Sequence, residues 1–231
     1  ICTILVNEQM EFFKSKSLGF NKDAVVTVFL PTGEGKKMMP LRQELTSHPA
    51  VKMVSLASSP PSANFTFTGN FKFNNSSEDV PFHANYKMAD EGYIDLYDMK
   101  LLAGRAYKDS DSVAYVINET MRRKLGIESP AEAINKTIAL GRGDVKGYII
   151  GVVDDFHQNS LRDPIDPAII LAQPENYWFL SAKIDMAQKQ EALQHLEKVW
   201  NKAYPDDVFN YEFLDETITR FYQDEARQSK L

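Results

Sequence analysis

The sequence predicts an α+β fold in two parts, a ferredoxin-like lobe built from two strand, helix, strand units and an α/β lobe inserted between them. Three observations predict it. An apolar strand, an amphipathic helix and a second apolar strand follow one another within residues 20–58. The same order returns within residues 174–214, and the stretch between the two opens with a Ser, Asn, Pro and Gly-rich passage of different character. Two such units form a layer of antiparallel or mixed sheet backed by two helices. With 231 residues, 43% apolar and 11% aromatic, the chain can bury a real core.

The chain opens on Ile1 with "ICTILV", far short of the roughly 20 apolar residues of a membrane span. It continues as "NEQMEFFKSKSLGF", which puts Val6, Met10 and Phe13 on one helical stripe. Periodicity leaves two readings open for residues 1–19. One is an ordinary amphipathic terminal helix; the other is a stalk that continues a span, the chain being a fragment of a membrane protein.

The first unit has a strand at "AVVTVFL" (Ala24 to Leu30), a helix in "KMMPLRQELTS" and a strand at "VKMVSLAS". The helix carries Met38, Leu41 and Leu45, tolerates Pro40 in its first turn and stops before Pro49. The insert, residues 59–173, begins with Phe65, Phe67, Phe71 and Phe73 in alternation, which suits a hairpin or a long edge loop better than an aromatic cage for a cofactor. A helix in "DEGYIDLYDM" follows, then "LLAGRAY" and the strand "VAYVI". That strand runs into Asn118 as N-cap of a helix with Met121 and Leu125 one turn apart and Gly126 at its end. Ser129 to Glu132 reads as a capping box with Pro130 in the first helical position, and "KTIALGRGDVKGYIIGVV" as a hairpin turning at Gly141 to Asp144.

The second unit has "NYWFLSAKI", a helix from Met186 to Ala203 with Leu193, Leu196 and Trp200 on one face, and "VFNYEFL" after the breaker Pro205. Residues 215–231 form a C-terminal helix with Asp215 as N-cap and Ile218, Phe221 and Tyr222 on one face.

Composition narrows the function. A net charge of −6, with Arg122, Arg123 and Lys124 as the only short basic cluster, argues against a nucleic-acid surface, and those three cations suit a helix C-terminus. One cysteine, Cys2, permits no internal disulfide. The "RGD" at Arg142 to Asp144 is turn chemistry before it is an adhesion motif, and the glycan acceptor patterns at Asn64, Asn74, Asn118 and Asn135 are common by chance. There is no P-loop, G-x-G-x-x-G, G-x-S-x-G, H-E-x-x-H or paired C-x-x-C, so no nucleotide, metal or other cofactor is expected.

One stretch deserves weighing as an active site. "YIIGVVDDFHQNSLRDPIDP" places Asp154, Asp155 and His157 after an apolar run. Strand alternation sends Asp154 to one face with Val152 and Phe156, and Asp155 to the other with Val153 and His157. A base with an orienting carboxylate lacks a nucleophile or a third ligand, and His48, His83 and His195 show no ligand spacing with His157. The alternative is that Asp155 and His157 satisfy backbone groups where the strand exits into a loop.

"GYIDLYDMKLLAGR", "AYVINETMRRKLG", "IIGVVDDFHQNSLRDPIDP" and "FNYEFLDETITRFYQDE" occur in this order. Together they resemble the extracytoplasmic core domain of MacB-like and FtsX-like ABC transporter permeases, in particular the lineage common in Bacteroidetes, from about Gly19 to the end of the chain. The resemblance implies a porter-like lobe of two discontinuous segments (20–58 and 174–214), an inserted sabre-like lobe (59–173) and terminal stalk helices (1–19 and 215–231). It implies a periplasmic domain held at the inner membrane by missing flanking helices, a second permease copy, a cytoplasmic ATPase and a periplasmic adaptor as partners, and no catalysis in this domain. The rivals are a ligand-sensing ectodomain of a membrane receptor and a hydrolase using Asp155 and His157.

Overall fold

The computed structural model describes residues 17–31, 35–63, 66–111, 113–141, 145–159 and 163–228. The expected N-terminal helix with Val6, Met10 and Phe13, the aromatic Phe65, the acceptor Asn64 and the RGD turn lie outside them. In chain order the first elements are β1 (Val25–Phe29), α1 (Gly35–Met38), a 3-10 turn (Met39–Leu41), α2 (Arg42–Leu45), β2 (Val51–Ala57), β3 (Phe67–Gly69), β4 (Phe71–Phe73), β5 (Ala84–Met88) and α3 (Tyr93–Leu96). Next come β6 (Leu101–Gly104), β7 (Ala114–Asn118), α4 (Glu119–Lys124), α5 (Pro130–Ala133), β8 (Thr137–Leu140), β9 (Val145–Val153) and β10 (Ala168–Leu171). The chain closes with β11 (Phe179–Ile184), α6 (Lys189–Ala203), β12 (Tyr211–Phe213) and α7 (Leu214–Gln228).

The outer strands make one antiparallel sheet in the order β12-β1-β11-β2. Each strand, helix, strand unit skips one position, which a strand of the other unit fills, so β1 and β11 lie side by side at the centre. This is the ferredoxin-like arrangement. The central position explains why "VVTV" of β1 is buried on both faces. Val26, Val28 and Leu180 face Leu45, Leu196 and Trp200 of the helices, and each such buried side chain contributes about 1.5–3 kcal/mol relative to exposure. The single helix expected in "KMMPLRQELTS" is instead two short helices around a 3-10 turn. Pro40, which has no N–H to donate, sits in that turn. Likewise α7 starts at Leu214, directly after β12, so Asp215 lies in the first turn and is not the N-cap.

Residues of the insert form the second sheet, ordered β3-β5-β10-β7-β9-β8-β4, with β6 pairing the far half of β9. Its two end strands, β3 and β4, are separated in sequence by Asn70 alone. They are therefore halves of one bent strand, the first pairing with β5 and the second with β8. The bend brings the two ends of the sheet together and removes most of its free edge. This corrects the hairpin or edge loop expected from the alternating phenylalanines. The corner needs Gly69, because a Cβ there would come within 2.8 Å of the Tyr86 ring, whose hydroxyl donates to the Asn70 carbonyl at 2.8 Å. Phe71, Tyr115, Ile117, Ile138, Ile149 and Ile169 fill the inside with Met121 of α4.

Caps set the helix ends in the insert. Asn118 has the predicted role: its side chain accepts from the Met121 amide at 3.0 Å, and Gly126 at φ 70° ends α4. Ser129 does not complete the expected capping box: its hydroxyl donates to the Glu132 carboxylate at 2.9 Å, and the hydroxyl oxygen accepts from no amide of α5.

Candidate functional site

The Asp155–His157 stretch lies beyond the end of β9 at Val153, so strand alternation does not govern it. Asp155 is committed to α4. Its carboxylate accepts from the Thr120 amide at 2.7 Å and the Thr120 hydroxyl at 2.8 Å, and pairs with Arg123 at 2.6 Å. An anion beside the first turn of a helix satisfies an unpaired N–H and favours the helix dipole. The His157 amide donates to the Leu18 carbonyl at 2.8 Å. Gly19, at φ 80°, lies so close that a Cβ would sit 2.2 Å from the Asp155 carbonyl oxygen. The stretch is thus a seat for the incoming chain and a cap for α4. Asp155→Ala is expected to lower the stability of the domain by about 1–3 kcal/mol, read as a fall in Tm of several degrees, with Asp155→Asn losing less because one oxygen still accepts.

His195 and His48 also serve the scaffold. His195 of α6 bonds through Nε2 to the Glu44 carbonyl at 2.9 Å, and its ring lies 5.2 Å from that of His48, whose Nδ1 accepts from the Ala50 amide. Among the described residues no group of three His, Cys, Asp or Glu side chains is placed to hold a metal ion. No helix among them is long and apolar enough to cross a membrane.

The chemistry that sequence reasoning missed lies where the two sheets meet. α3 is wedged between them, with Tyr93, Ile94, Leu96 and Tyr97 buried against Val25 and Ala57 on one side and Val116, Val153 and Ile170 on the other. The Tyr97 hydroxyl donates to Ser181 Oγ of β11 at 2.8 Å, and Tyr93 donates to the Ser59 carbonyl at 3.2 Å. Burial pushes both hydroxyls well up from the ordinary tyrosine value. Just past α3, Asp98 pairs with Lys183 at 2.6 Å and accepts from Asn21 at 2.9 Å.

Asp90 anchors the other end of this wedge. Its side chain has no exposure and accepts from Ser55 Oγ at 2.7 Å, the Leu56 amide at 3.0 Å, the Gly92 amide at 3.1 Å and Arg42 Nη1 at 3.1 Å. Burial moves Asp90 upward, against those hydrogen bonds and the charge of Arg42. For Arg42 burial alone acts downward, but its bonds to Asp109 and Asp90 prevail and the guanidinium is held more firmly protonated. The same guanidinium reaches Glu91 at 3.7 Å and Asp109.

Lys87 of β5 is the other unusual charge. It is fully buried on the outer face of the second sheet, where its ammonium donates to Ser59 Oγ at 2.8 Å and the Pro60 carbonyl at 3.1 Å. Both acceptors are neutral, and burial lowers its pKa to about 7. The loop it holds is one of the two places where the chain passes between the sheets. Nothing local in the sequence tells that residues 58–62 cover Lys87.

Two of the concave surfaces among the described residues have aromatic and aliphatic linings. A cavity of about 220 Å³ lies between β11, the 60–63 loop and α7, lined by Thr27, Phe179, Leu214, Ile218 and Phe221, with the exposed ring of Phe29 stacked edge-on to Phe179 beside it. A second of about 620 Å³ runs between α6 and β12, lined by Met186, Leu193, Phe209 and Tyr211.

No family model matches the chain, and no curated protein does. Solved structures do share its fold. The periplasmic region of MacB from Actinobacillus actinomycetemcomitans is 18% identical, with a TM-score of 0.59 over 89% of this chain and 94% of that one. The extracellular domain of the noncanonic ABC-type transporter YknZ from Gram-positive bacteria is 15% identical, with a TM-score of 0.53 over 81% of this chain and 97% of that one. A permease-protein domain from Porphyromonas gingivalis is 17% identical, with a TM-score of 0.53 over 81% of this chain and 86% of that one. At these identities the likeness is one of fold.

Proposed function

We propose that this chain is the extracytoplasmic domain of an ABC-type permease, and that it binds and transmits movement without catalysing a reaction. The observation that carries the reading is the length of the likeness, which takes in 89% of this chain and 94% of the MacB periplasmic region. A second observation supports it. Leu18, near the start of the described residues, is buried in the same cluster as Leu214 and Ile218 of α7. A domain inserted between consecutive membrane helices must return its chain to the place it left, and a shared cluster of these residues supports that reading.

In this reading the membrane-bound partners are a second permease copy and a cytoplasmic ATPase, with an adaptor on the periplasmic side. In this reading α7 passes on movement that a flexible linker would absorb. Asp155 speaks against the hydrolase, since both of its oxygens are occupied by α4.

The test uses the full-length protein reconstituted with its ATPase. Replacing residues 20–214 by a short flexible linker should leave ATP hydrolysis in place and abolish the work coupled to it. Cysteines at Phe13 and Phe221 should crosslink over a short span. A chain whose removal leaves coupling intact, or whose cytoplasmic partner is a kinase responding to an external ligand, would defeat the proposal and point to the sensor.

A further inference from the structure

The Arg42 cluster divides into a fixed part and a releasable part. Its four members come from both sides of the junction: Arg42 lies in α2, beside the four-stranded sheet, whereas Asp90, Glu91 and Asp109 belong to the insert. Asp90 does not depend on Arg42 for its place, because Ser55 and Leu56 of β2 hold both of its oxygens. Together with the Tyr97–Ser181 and Asp98–Lys183 bonds, this fastens α3 to the four-stranded sheet at several points.

Asp109 is different. It sits on the loop 105–111, which is braced internally by the two-pronged Arg105–Asp111 pair at 2.7 Å and by the Lys108 amide on Asp111 at 2.9 Å. The Asp109 amide donates to Glu91 Oε2 at 3.0 Å, and its carboxylate binds Arg42 Nη2. Exposure rises outward through the cluster, from 0% at the Asp90 side chain to 24% at Arg42, 35% at Asp109 and 42% at Glu91. Water and salt therefore weaken the outer contacts first, while the buried Asp90 anchor keeps its partners.

From this geometry we infer that Arg42 is an electrostatic latch: it holds the braced 105–111 loop of the second sheet against α2, and its release lets the two sheets part at that edge while α3 stays fixed as the pivot. Three carboxylates gathered on one guanidinium make the closed state sensitive to that single side chain. The four-stranded unit and the loop then move as two rigid pieces, since each keeps its own bonds. The inference concerns the domain itself and stands whether or not the permease reading does.

Spin labels at cysteines replacing the exposed Ser47 and Ser110, in a chain with Cys2→Ser, read the gap across the latch. Hydrogen exchange of β1 and β11 serves as a control for folding. The native chain should give one narrow distance distribution. Asp109→Asn, which leaves the buried Asp90 pair intact, should broaden and lengthen it and raise exchange in 105–111 about tenfold, with β1 and β11 unchanged. Arg42→Gln should do the same, Arg42→Lys should recover part of the closed distance, and the Arg42→Gln, Asp109→Asn double variant should add nothing to either single change. If Arg42→Gln unfolds the domain, Asp109→Asn and 1 M NaCl on the native chain decide the matter alone. A distance unchanged in Asp109→Asn, or effects that simply add in the double variant, would overturn the latch.

Discussion

The domain is expected to gain stability as the pH rises from 7 to 9.5, and Lys87→Met is expected to remove most of that gain. The reason is the fully buried ammonium of Lys87, held by two neutral acceptors, with its pKa lowered to about 7. An unfolded chain returns that lysine to water, where it titrates at the ordinary value of 10.5. Between the two values the unfolded state binds a proton that the folded state does not, and stability rises with pH wherever that holds. Below pH 7 both states are protonated, so the whole cost of burying the charge is present and the slope vanishes. The slope within the window approaches about 1.4 kcal/mol per pH unit, so urea unfolding at pH 7.5 and 9.5 should differ by roughly 2–3 kcal/mol in the native chain. In Lys87→Met the difference should shrink to what the remaining groups supply. The window ends at 9.5 because the buried Tyr93 and Tyr97, whose hydroxyls are pushed upward, begin to count against the folded state above it. Equal slopes in the two proteins would show that Lys87 stays charged in the folded domain throughout the window and would overturn this account.

Asn118→Ala should cost about 3–4 kcal/mol, lowering Tm by roughly 6–16 °C in a domain of this size. One carboxamide makes three contacts in a fully buried place. Its oxygen accepts from the Met121 amide at 3.0 Å and the Ala168 amide at 2.8 Å, and its nitrogen donates to the Asp166 carbonyl at 2.9 Å. Truncation removes the cap of α4 and leaves the buried β10 amide of Ala168 without its partner, while the Asp166 carbonyl keeps only its bond from Gln158 at 2.9 Å; a buried orphaned group costs more than a hydrogen bond contributes. Asp fits the cap but donates nothing to Asp166, so Asn118→Asp should fall between the native chain and the alanine variant. The same burial means that the acceptor pattern at Asn118 does not receive a glycan in the folded domain. A loss under 1 kcal/mol for the alanine variant, measured by chemical denaturation, would contradict this account.

What the sequence determined by itself is the local structure and part of the arrangement it allows. Periodicity marked β1, β2, β11, β12 and the helix of residues 189–203, because each carries enough apolar residues at one spacing to declare its period. Asn118 and Gly126 declared a helix start and stop through their own backbone chemistry. Strands β5 and β10 went unmarked, since "ANYKM" mixes polar and apolar residues and "AIIL" is apolar throughout, so neither shows a clear alternation, and the α1–α2 segment has a helical apolar face that does not reveal its 3-10 interruption. The tertiary structure alone decided which polar groups meet. Arg42 and Asp109 are 67 positions apart, Tyr97 and Ser181 are 84 apart, and Asp155 reaches back 35 residues to cap α4. Lys87 is buried only because residues 58–62 cross over it, and Phe67 to Phe73 bend only because β5 and β8 stand ready on either side to pair with the two halves. Backbone and capping preferences act over a few residues and are written in the chain. The pairing of charges across a junction depends on where two distant segments are brought by the burial of apolar surface, which is non-directional and leaves no mark on the individual residues that it places side by side.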